Sequence, residues 1–486
     1  MSELILVLDE GTTSTRAMLF TPAGEPCGVA QAALTQHYPR PGWVEHDAGE
    51  IWDKTLVCAR EMVERAGGAE RIAAIGITNQ RETVVAWDKQ TGEPLARALV
   101  WQDRRTAEFC DQLRATGHED ALREATGLLL DPYFSATKMR WLLDHEPVVA
   151  EAAARGTLAF GTIESWLIFK LTGAHLSDAG NASRTLLLPL VGAGWDEGLC
   201  ELFGVPRATL PEVIDSVGDF GSTTLFGAPI PICGLAGDQQ AATIGQGCLT
   251  PGETKATYGT GAFVLANMGT AVPRSNNRLL GTVLCQLGGE RQYALEGSVF
   301  VAGSFIQWLR DSLGLILTAA ETEALARSVP DSGGVVVVPA LSGLGAPHWR
   351  PEARGLIRGL SFATGKAEIV RAALEAMAHQ THDLAAAFAA DGAPWRVLKI
   401  DGGMAANEWM AQDIADVTGL PVVRPDFVET TALGAAMLAA VGAGLHPALE
   451  HAAKAMIGPE KRFEPQMDDE VRGKRLAAWL TALASV

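Results

Sequence analysis

Two short turns of small polar residues, half a chain apart, constrain this sequence more than any other feature. The first, Asp9-Glu-Gly-Thr-Thr-Ser-Thr15, joins the apolar run 4–8 to a second run at 17–20. The second, Thr257-Tyr-Gly-Thr-Gly261, leads into the apolar run 262–265. Both read as β-hairpins. Successive N–H groups in such turns point the same way and form a nest for an anion such as phosphate. One Gly/Thr turn is usually only structural. Two of them predict a duplicated domain with one phosphate-gripping turn in each half.

The rest of the pattern agrees with duplication. At 486 residues the chain is too long for a single core. Helical stretches are expected at 50–65 and 137–144, and strands at 157–161 and 335–338. A long helix follows at 366–390, then a strand at 397–400, the turn Asp401-Gly-Gly403 and a helix at 407–418. Strands alternating with helices define an α/β fold. No low-complexity linker separates the halves, so two domains, 1–246 and 247–486, are expected to pack around a cleft. The stretch 430–449 carries no Asp, Glu, Lys or Arg, but it is rich in Ala and Gly and is interrupted by His446-Pro447. It reads as a buried helix and not as a membrane span.

Composition excludes some partners. The net charge of −18 argues against nucleic acid and against insertion into or adhesion to an anionic membrane. It leaves a nucleotide possible, because backbone N–H groups hold phosphates without lysines. Seven scattered cysteines with no C-x-x-C pair fit reduced thiols in a cytoplasm. The N-terminus lacks a basic segment and reads as a strand and no signal peptide.

Three stretches carry chemistry. In Ile75-Gly-Ile-Thr-Asn-Gln-Arg-Glu82 an apolar strand runs into a fork of donors, Arg81, beside a pure acceptor, Glu82. Adjacent hydroxyls of a small polyol need both, although such a pair alone is more often solvated at a surface. Gly237-Asp-Gln-Gln-Ala-Ala242 places Asp238 where a strand meets a helix, either as an N-cap or as a general base. Phosphoryl transfer to an alcohol needs such a base, with Mg²⁺ on the phosphates. Asp9 and Asp238, each at a strand end, are expected to face one another from different halves, across a cleft near that metal. Asp401-Gly-Gly-Met-Ala-Ala-Asn407 permits close backbone approach by a nucleotide, or is a plain turn. Two decoys fail: 359–367 has the wrong glycine spacing for a Walker loop and Ala where a hydroxyl is required, and His379 with His382 lacks a third ligand.

Taken in order, many strings resemble the FGGY carbohydrate kinases nearly end to end. They include DEGTTSTRAMLF (9–20), IGITNQRET (75–83), VWQDRRTAE (100–108), DPYFSATK (131–138), GLAGDQQAA (234–242), YGTGAF (258–263) and DGGMAAN (401–407). The resemblance implies a pair of actin-like, ribonuclease-H-like domains that bind ATP and Mg²⁺ and close over a small acceptor. In members acting on glycerol, the triol would be held by the residues matching Arg81, Glu82, Asp238 and Gln239, with Trp101, Tyr133 and Phe263 shaping the pocket. Asp238 matches the catalytic base, and Asp9 a residue near the metal. Thr12, Thr13, Ser14 and Arg16 match the first phosphate turn. Thr260, Gly303, Gln307, Gly403 and Asn407 match nucleotide contacts in the second domain. A homodimer or homotetramer is the expectation by likeness. Rival readings are a kinase for a tetritol or ketopentose, a non-catalytic sugar-sensing module and a pure ATPase. One departure stands out: Glu10 occupies a position that is usually Gln, placing an extra carboxylate beside the first phosphate turn.

Overall fold

A computed structural model describes residues 3–350 and 352–486. The first sheet holds β1 (Leu4–Glu10), β2 (Ser14–Phe20), β3 (Pro26–Ala33), β4 (Ile72–Asn79), β5 (Ser222–Thr223) and β6 (Ile230–Gly237), in the order β5-β6-β4-β1-β2-β3. The second holds β7 (Glu253–Tyr258), β8 (Ala262–Gly269), β9 (Leu280–Leu287), β10 (Glu290–Val299), β11 (Val397–Asp401), β12 (Val422–Pro425) and β13 (Glu460–Phe463), in the order β9-β10-β8-β7-β11-β12-β13. The duplication is visible strand by strand. β3-β2-β1-β4-β6 and β10-β8-β7-β11-β12 share one pattern: two antiparallel pairings followed by two parallel ones. Both hairpin turns lie in equivalent places, β1–β2 and β7–β8. Ligands of open α/β sheets gather outside the carboxyl ends of the parallel strands. Asp9, Asn79, Gly237 and Asp401 all stand at such ends.

β1 alternates between two apolar layers, as a doubly covered strand must. Leu4, Leu6 and Leu8 pack on α1 (Ala48–Ala66), together with Ile51, Cys58 and Met62. Ile5 and Val7 pack on the opposite side against Ala435, Leu438 and Ala439. α1 starts at Asp47, whose carboxylate accepts from the N–H groups of Gly49 and Glu50 at 2.9 and 3.1 Å, and stops at Gly67 with φ 88°.

The expected break near residue 246 falls between α2 (Asp238–Gly245) and β7. The second half nevertheless returns to the first. After α3 (Gly303–Asp311), α4 (Lys366–Ala390) and α5 (Glu408–Thr418), the helix α6 (Thr430–Gly442) lies across β1, β4 and β6 and against α2. This is the uncharged stretch of the sequence, and it is buried as expected, ending at Gly442. No helix among the described residues is long and apolar enough to cross a membrane.

Glycines let α6 approach. A Cβ on Gly434 would collide with the carbonyl oxygen of Ala241, and one on Gly245 with that of Thr430. Substituting Gly434→Ala gains at most about 1 kcal/mol of helix propensity. Overpacking against a backbone atom costs about 1–3 kcal/mol, and so dominates. Gly434→Ala should therefore lower the thermal midpoint. Gly473→Ala, on the C-terminal helix Asp469–Leu483 with nothing within 4 Å of its added Cβ, should raise it slightly. Calorimetry of both variants checks the opposite signs, and equal shifts would contradict the close helix contact.

Candidate active site

Arg81 and Glu82 lie immediately beyond β4 and are not a solvated pair. Their side chains are 2% and 1% exposed, and Glu82 has φ 62°, a left-handed conformation uncommon for glutamate. The Arg81 fork grips the Glu296 carboxylate of β10 through both terminal nitrogens, at 2.6 and 3.2 Å. Its Nε lies 3.4 Å from Asp238 Oδ1, and Nη2 lies 3.4 Å from the Tyr133 hydroxyl. Glu82 Oε1 accepts from Arg184 Nε at 2.6 Å, and Arg184 Nη2 donates to Glu296 Oε1 at 3.1 Å. Two arginines and two glutamates thus close a buried ring. Much of the Arg81 guanidinium is already committed to Glu296, and a Glu82 oxygen to Arg184.

Asp238 opens α2 but does not cap it. The N-cap position is Gly237, and the Asp238 carboxylate accepts only from the next N–H, that of Gln239, at 2.7 Å. The N-cap reading is therefore wrong. Burial raises the Asp238 carboxyl above its ordinary range, opposed by the charges of Arg81 and Lys255. Lys255, a buried lysine on β7, donates to Gln239 Oε1 at 2.5 Å. Trp101 meets Tyr133 edge-on, with ring centroids 5.6 Å apart, and its Nε1 donates to Thr12 Oγ1 at 2.9 Å. That bond ties the Trp101–Tyr133 pair to the first hairpin turn. Phe263 lies on β8, two residues before Leu265, which pairs with Glu296. The pleat puts Phe263 and Glu296 in the same sheet region, but among the described residues Phe263 makes no ring contact with Trp101 or Tyr133.

One backbone donor of the first turn is used within the chain. Gly11 N–H donates to Ser14 O at 3.0 Å, and the carbonyls of Thr12 and Thr13 accept from Gln36 and from the Leu34 N–H. The Ser14 hydroxyl accepts from Gln31 at 2.9 Å. Arg16 bonds Asp9 and reaches Glu429 of the second half at 2.5 Å. Glu10 points away from the turn into the core, accepting from the hydroxyls of Thr15 and Thr55. The second turn docks on α3: Gly303 N–H donates to Gly259 O at 2.9 Å, and Thr260 O accepts from the N–H groups of Ala302 and Ser304. Gly303 must lack a side chain, since a Cβ there would stand 2.5 Å from Gly259 O.

Beside that turn opens a cavity of about 590 Å³, whose walls include Thr260, Gly303, Gln307, Gly403 and Asn407 with apolar Ile306, Leu374 and Met404. All five predicted nucleotide residues meet there. Asn407 has a structural task too, capping α5 through Met410 N–H at 2.9 Å and donating to Thr322 at 3.1 Å. A cavity of about 620 Å³ beside Trp195 and Arg207 contains none of the predicted groups.

Among the described residues no cluster of three or more His, Cys, Asp or Glu could cage a metal. Asp9 and Asp238 do not face one another from different halves: they stand at the ends of β1 and β6 of one sheet. Burial raises the Asp9 carboxyl, Arg16 lowers it, and the charge of Asp238 adds a smaller upward push. Two carboxylates suit Mg²⁺ carried on phosphates, which keeps most of its ligands as water and phosphate oxygen. They do not suit a metal held by protein alone. His379 packs flat on Trp479 and joins no such cluster.

Four residues escaped the sequence reading: Glu296, Arg184, Lys255 and Gln240, which faces Arg81 at 3.4 Å. Glu296 had a signal, because it is the one charge in the second half of its strand, Tyr293-Ala-Leu-Glu-Gly-Ser-Val299; Lys255, two residues from Glu253, had none.

Twin sheets with one strand order, a nucleotide-sized cavity in one half and a charged cluster at the strand ends of the other define a two-domain phosphotransferase. The chain belongs to the FGGY family of carbohydrate kinases, whose N-terminal domain model matches residues 4–245 and C-terminal domain model residues 254–443. It is 53% identical to a glycerol kinase of Rhodospirillum rubrum, over 99% of this chain and 98% of that one. It is 54% identical to a glycerol kinase of Alcanivorax borkumensis over the same shares. Among solved structures, glycerol kinase of Plasmodium falciparum with ADP superposes with a TM-score of 0.95 at 35% identity, covering 100% of this chain and 98% of that one. A xylulose kinase of Rhodospirillum rubrum superposes at 0.88 with 26% identity, over 99% of each chain.

Glu10 generates a pH prediction. Burial pushes its carboxyl up from 4.5 to about 8, against the two hydroxyl donors. The folded chain keeps this proton after the unfolded chain has lost it, so the residue destabilises the fold progressively as pH rises from 4.5 to about 8. Glu10→Gln removes that term. The variant should gain stability over the parent across this window, with no further gain above it, and keep its turnover. Denaturant midpoints across the window check the slope; a pH-independent difference, or a large fall in turnover, would contradict it.

Proposed function

We propose that this chain transfers the γ-phosphoryl group of ATP to a terminal hydroxyl of glycerol, forming sn-glycerol 3-phosphate. The observation that carries this reading is the meeting of Arg81, Glu82, Tyr133 and Asp238 at the strand ends of the first domain, in a chain matched almost end to end by glycerol kinases. A short triol offers hydroxyls that donate once and accept twice, and all must be satisfied once water leaves.

Asp238 is the proposed base. It would accept the hydroxyl proton as the alcohol oxygen attacks the γ-phosphorus, and the upward push of burial on its carboxyl favours that role. Arg81, Glu82, Gln239, Trp101, Tyr133 and Phe263 would orient the triol. Thr12, Thr13, Ser14 and Arg16 would steady the phosphates from one domain, and Thr260, Gly303, Gln307, Gly403 and Asn407 would hold the nucleotide in the other. Mg²⁺ would be held beside Asp9 and Asp238 and would supply neutralising charge on the phosphates. Closure of the two domains, 1–246 and 247–486, would exclude water and so limit hydrolysis of ATP. A cytoplasmic homodimer or homotetramer completes the proposal by likeness to the family.

ADP release from Mg·ATP with glycerol, erythritol, xylitol, xylulose or no acceptor tests the substrate. Strong dependence on glycerol over a low blank is expected; preference for a longer acceptor would overturn the reading of Arg81, Glu82 and Phe263, and release without acceptor dependence would indicate an ATPase. Asp238→Asn should lower kcat by roughly 10²–10⁴, the scale of a positioned base, with a much smaller change in glycerol KM. A rate near that of the parent would remove Asp238 from the chemistry.

A further inference from the structure

We infer that Glu296 is a positioning residue through which the nucleotide domain holds the polyol-binding arginine in place, so that acceptor and nucleotide affinities are coupled across the domain seam. The inference rests on the glycerol-phosphorylating reading above.

Glu296 belongs to the second domain, whereas Arg81, Glu82 and Arg184 belong to the first. Its two oxygens make three bonds: Oε2 to Arg81 at 2.6 Å, and Oε1 to Arg81 at 3.2 Å and to Arg184 at 3.1 Å. All these side chains are at most 2% exposed. Burial works to raise the Glu296 carboxyl, but Arg184 and Arg81 outweigh it and hold it down at about 2, so it stays ionised throughout the working range of pH. A planar guanidinium gripped by both oxygens of a carboxylate has one orientation. That grip fixes where Arg81 Nε points, which is toward Asp238.

The same glutamate is tied mechanically to the nucleotide cavity. β10 ends at Val299, and the chain enters α3 at Gly303, in the cavity wall. The neighbouring strand β8 starts directly after the second phosphate turn and pairs with β10 from Ala262↔Val299 to beyond Leu265↔Glu296. A shift of the turn and α3 on binding nucleotide therefore moves a hydrogen-bonded ladder that carries Glu296. Without its carboxylate, Arg81 has only Asp238, at 3.4 Å, and Glu82, at 3.9 Å, as nearby acids. It would turn onto groups that the acceptor needs.

A merely adhesive ion pair would alter stability and leave the ligands uncoupled, and this difference is measurable. ADP is titrated calorimetrically into the full chain with and without glycerol, and glycerol KM is measured at saturating Mg·ATP, for the parent, Glu296→Gln and Glu296→Asp. In the parent, glycerol should change ADP affinity by about fivefold or more, the usual lower scale of coupling between sites. Glu296→Gln should raise glycerol KM about tenfold or more, leave ADP affinity without glycerol within about threefold, and bring the coupling factor toward one. Glu296→Asp keeps the charge one methylene short, so it should fold even if the amide variant does not, with intermediate KM and coupling. Parent-like glycerol KM and coupling in the aspartate and glutamine variants, or no coupling in the parent, would overturn the inference. Absence of glycerol-dependent turnover in the parent would instead overturn the functional reading beneath it.

Discussion

The buried ring Arg81–Glu296–Arg184–Glu82 is the interaction on which the site depends. Its four charges sum to zero, and every member has an opposite partner at 2.6 to 3.2 Å. Charges taken out of water in this way are tolerated only while paired. Removing one partner leaves the others uncompensated, which costs far more than the intact ring contributes to stability. Such a ring is poor glue and a good gauge. It forces three residues of the first domain and one of the second into a single arrangement, with Asp238 beside it. The strained backbone at Glu82 fits this picture, since a left-handed glutamate persists only where its surroundings hold it.

The two domains reach this arrangement because one topology is used twice. Each sheet places a hairpin turn and the ends of parallel strands on the same edge, where backbone groups are exposed and helices begin. In the first domain that edge carries the acids and the arginine; in the second it carries the docked turn and the cavity. The halves are then held by more than the ring. α6 leaves the second half to cover β1, β4 and β6, and Arg16 bonds both Asp9 and Glu429. A small-residue helix is needed for the first contact, because carbonyl oxygens occupy the space that side chains of Gly245 and Gly434 would take.

Much of this was legible in the chain. Helices expected at 50–65, 137–144 and 366–390 are found at Ala48–Ala66, Ser135–His145 and Lys366–Ala390, because apolar spacing and capping residues act locally. The uncharged stretch from Thr430 is a buried helix for the same reason. The family resemblance assigns Thr260, Gly303, Gln307, Gly403 and Asn407 to one nucleotide site, and all five line one cavity. Where the local reading left alternatives open, the fold decided between them. Asp238 reads locally as an N-cap or a general base, and the first is excluded because Gly237 takes the cap position. Glu10, whose sequence position leaves open whether it faces the turn or points away, points away and faces Thr15 and Thr55 in the core.

The sequence by itself determined the duplicated α/β architecture, the family, and the residue types at each strand end, because hydrophobic period, turn chemistry and ordered motifs are properties of neighbours along the chain. Only the tertiary structure decided which charges meet. Arg81 and Glu296 stand 215 positions apart, and Arg16 and Glu429 stand 413 apart. No local spacing links such pairs. The folded geometry selects them, and for Arg81 and Glu296 a buried charge without an opposite partner is too costly to keep.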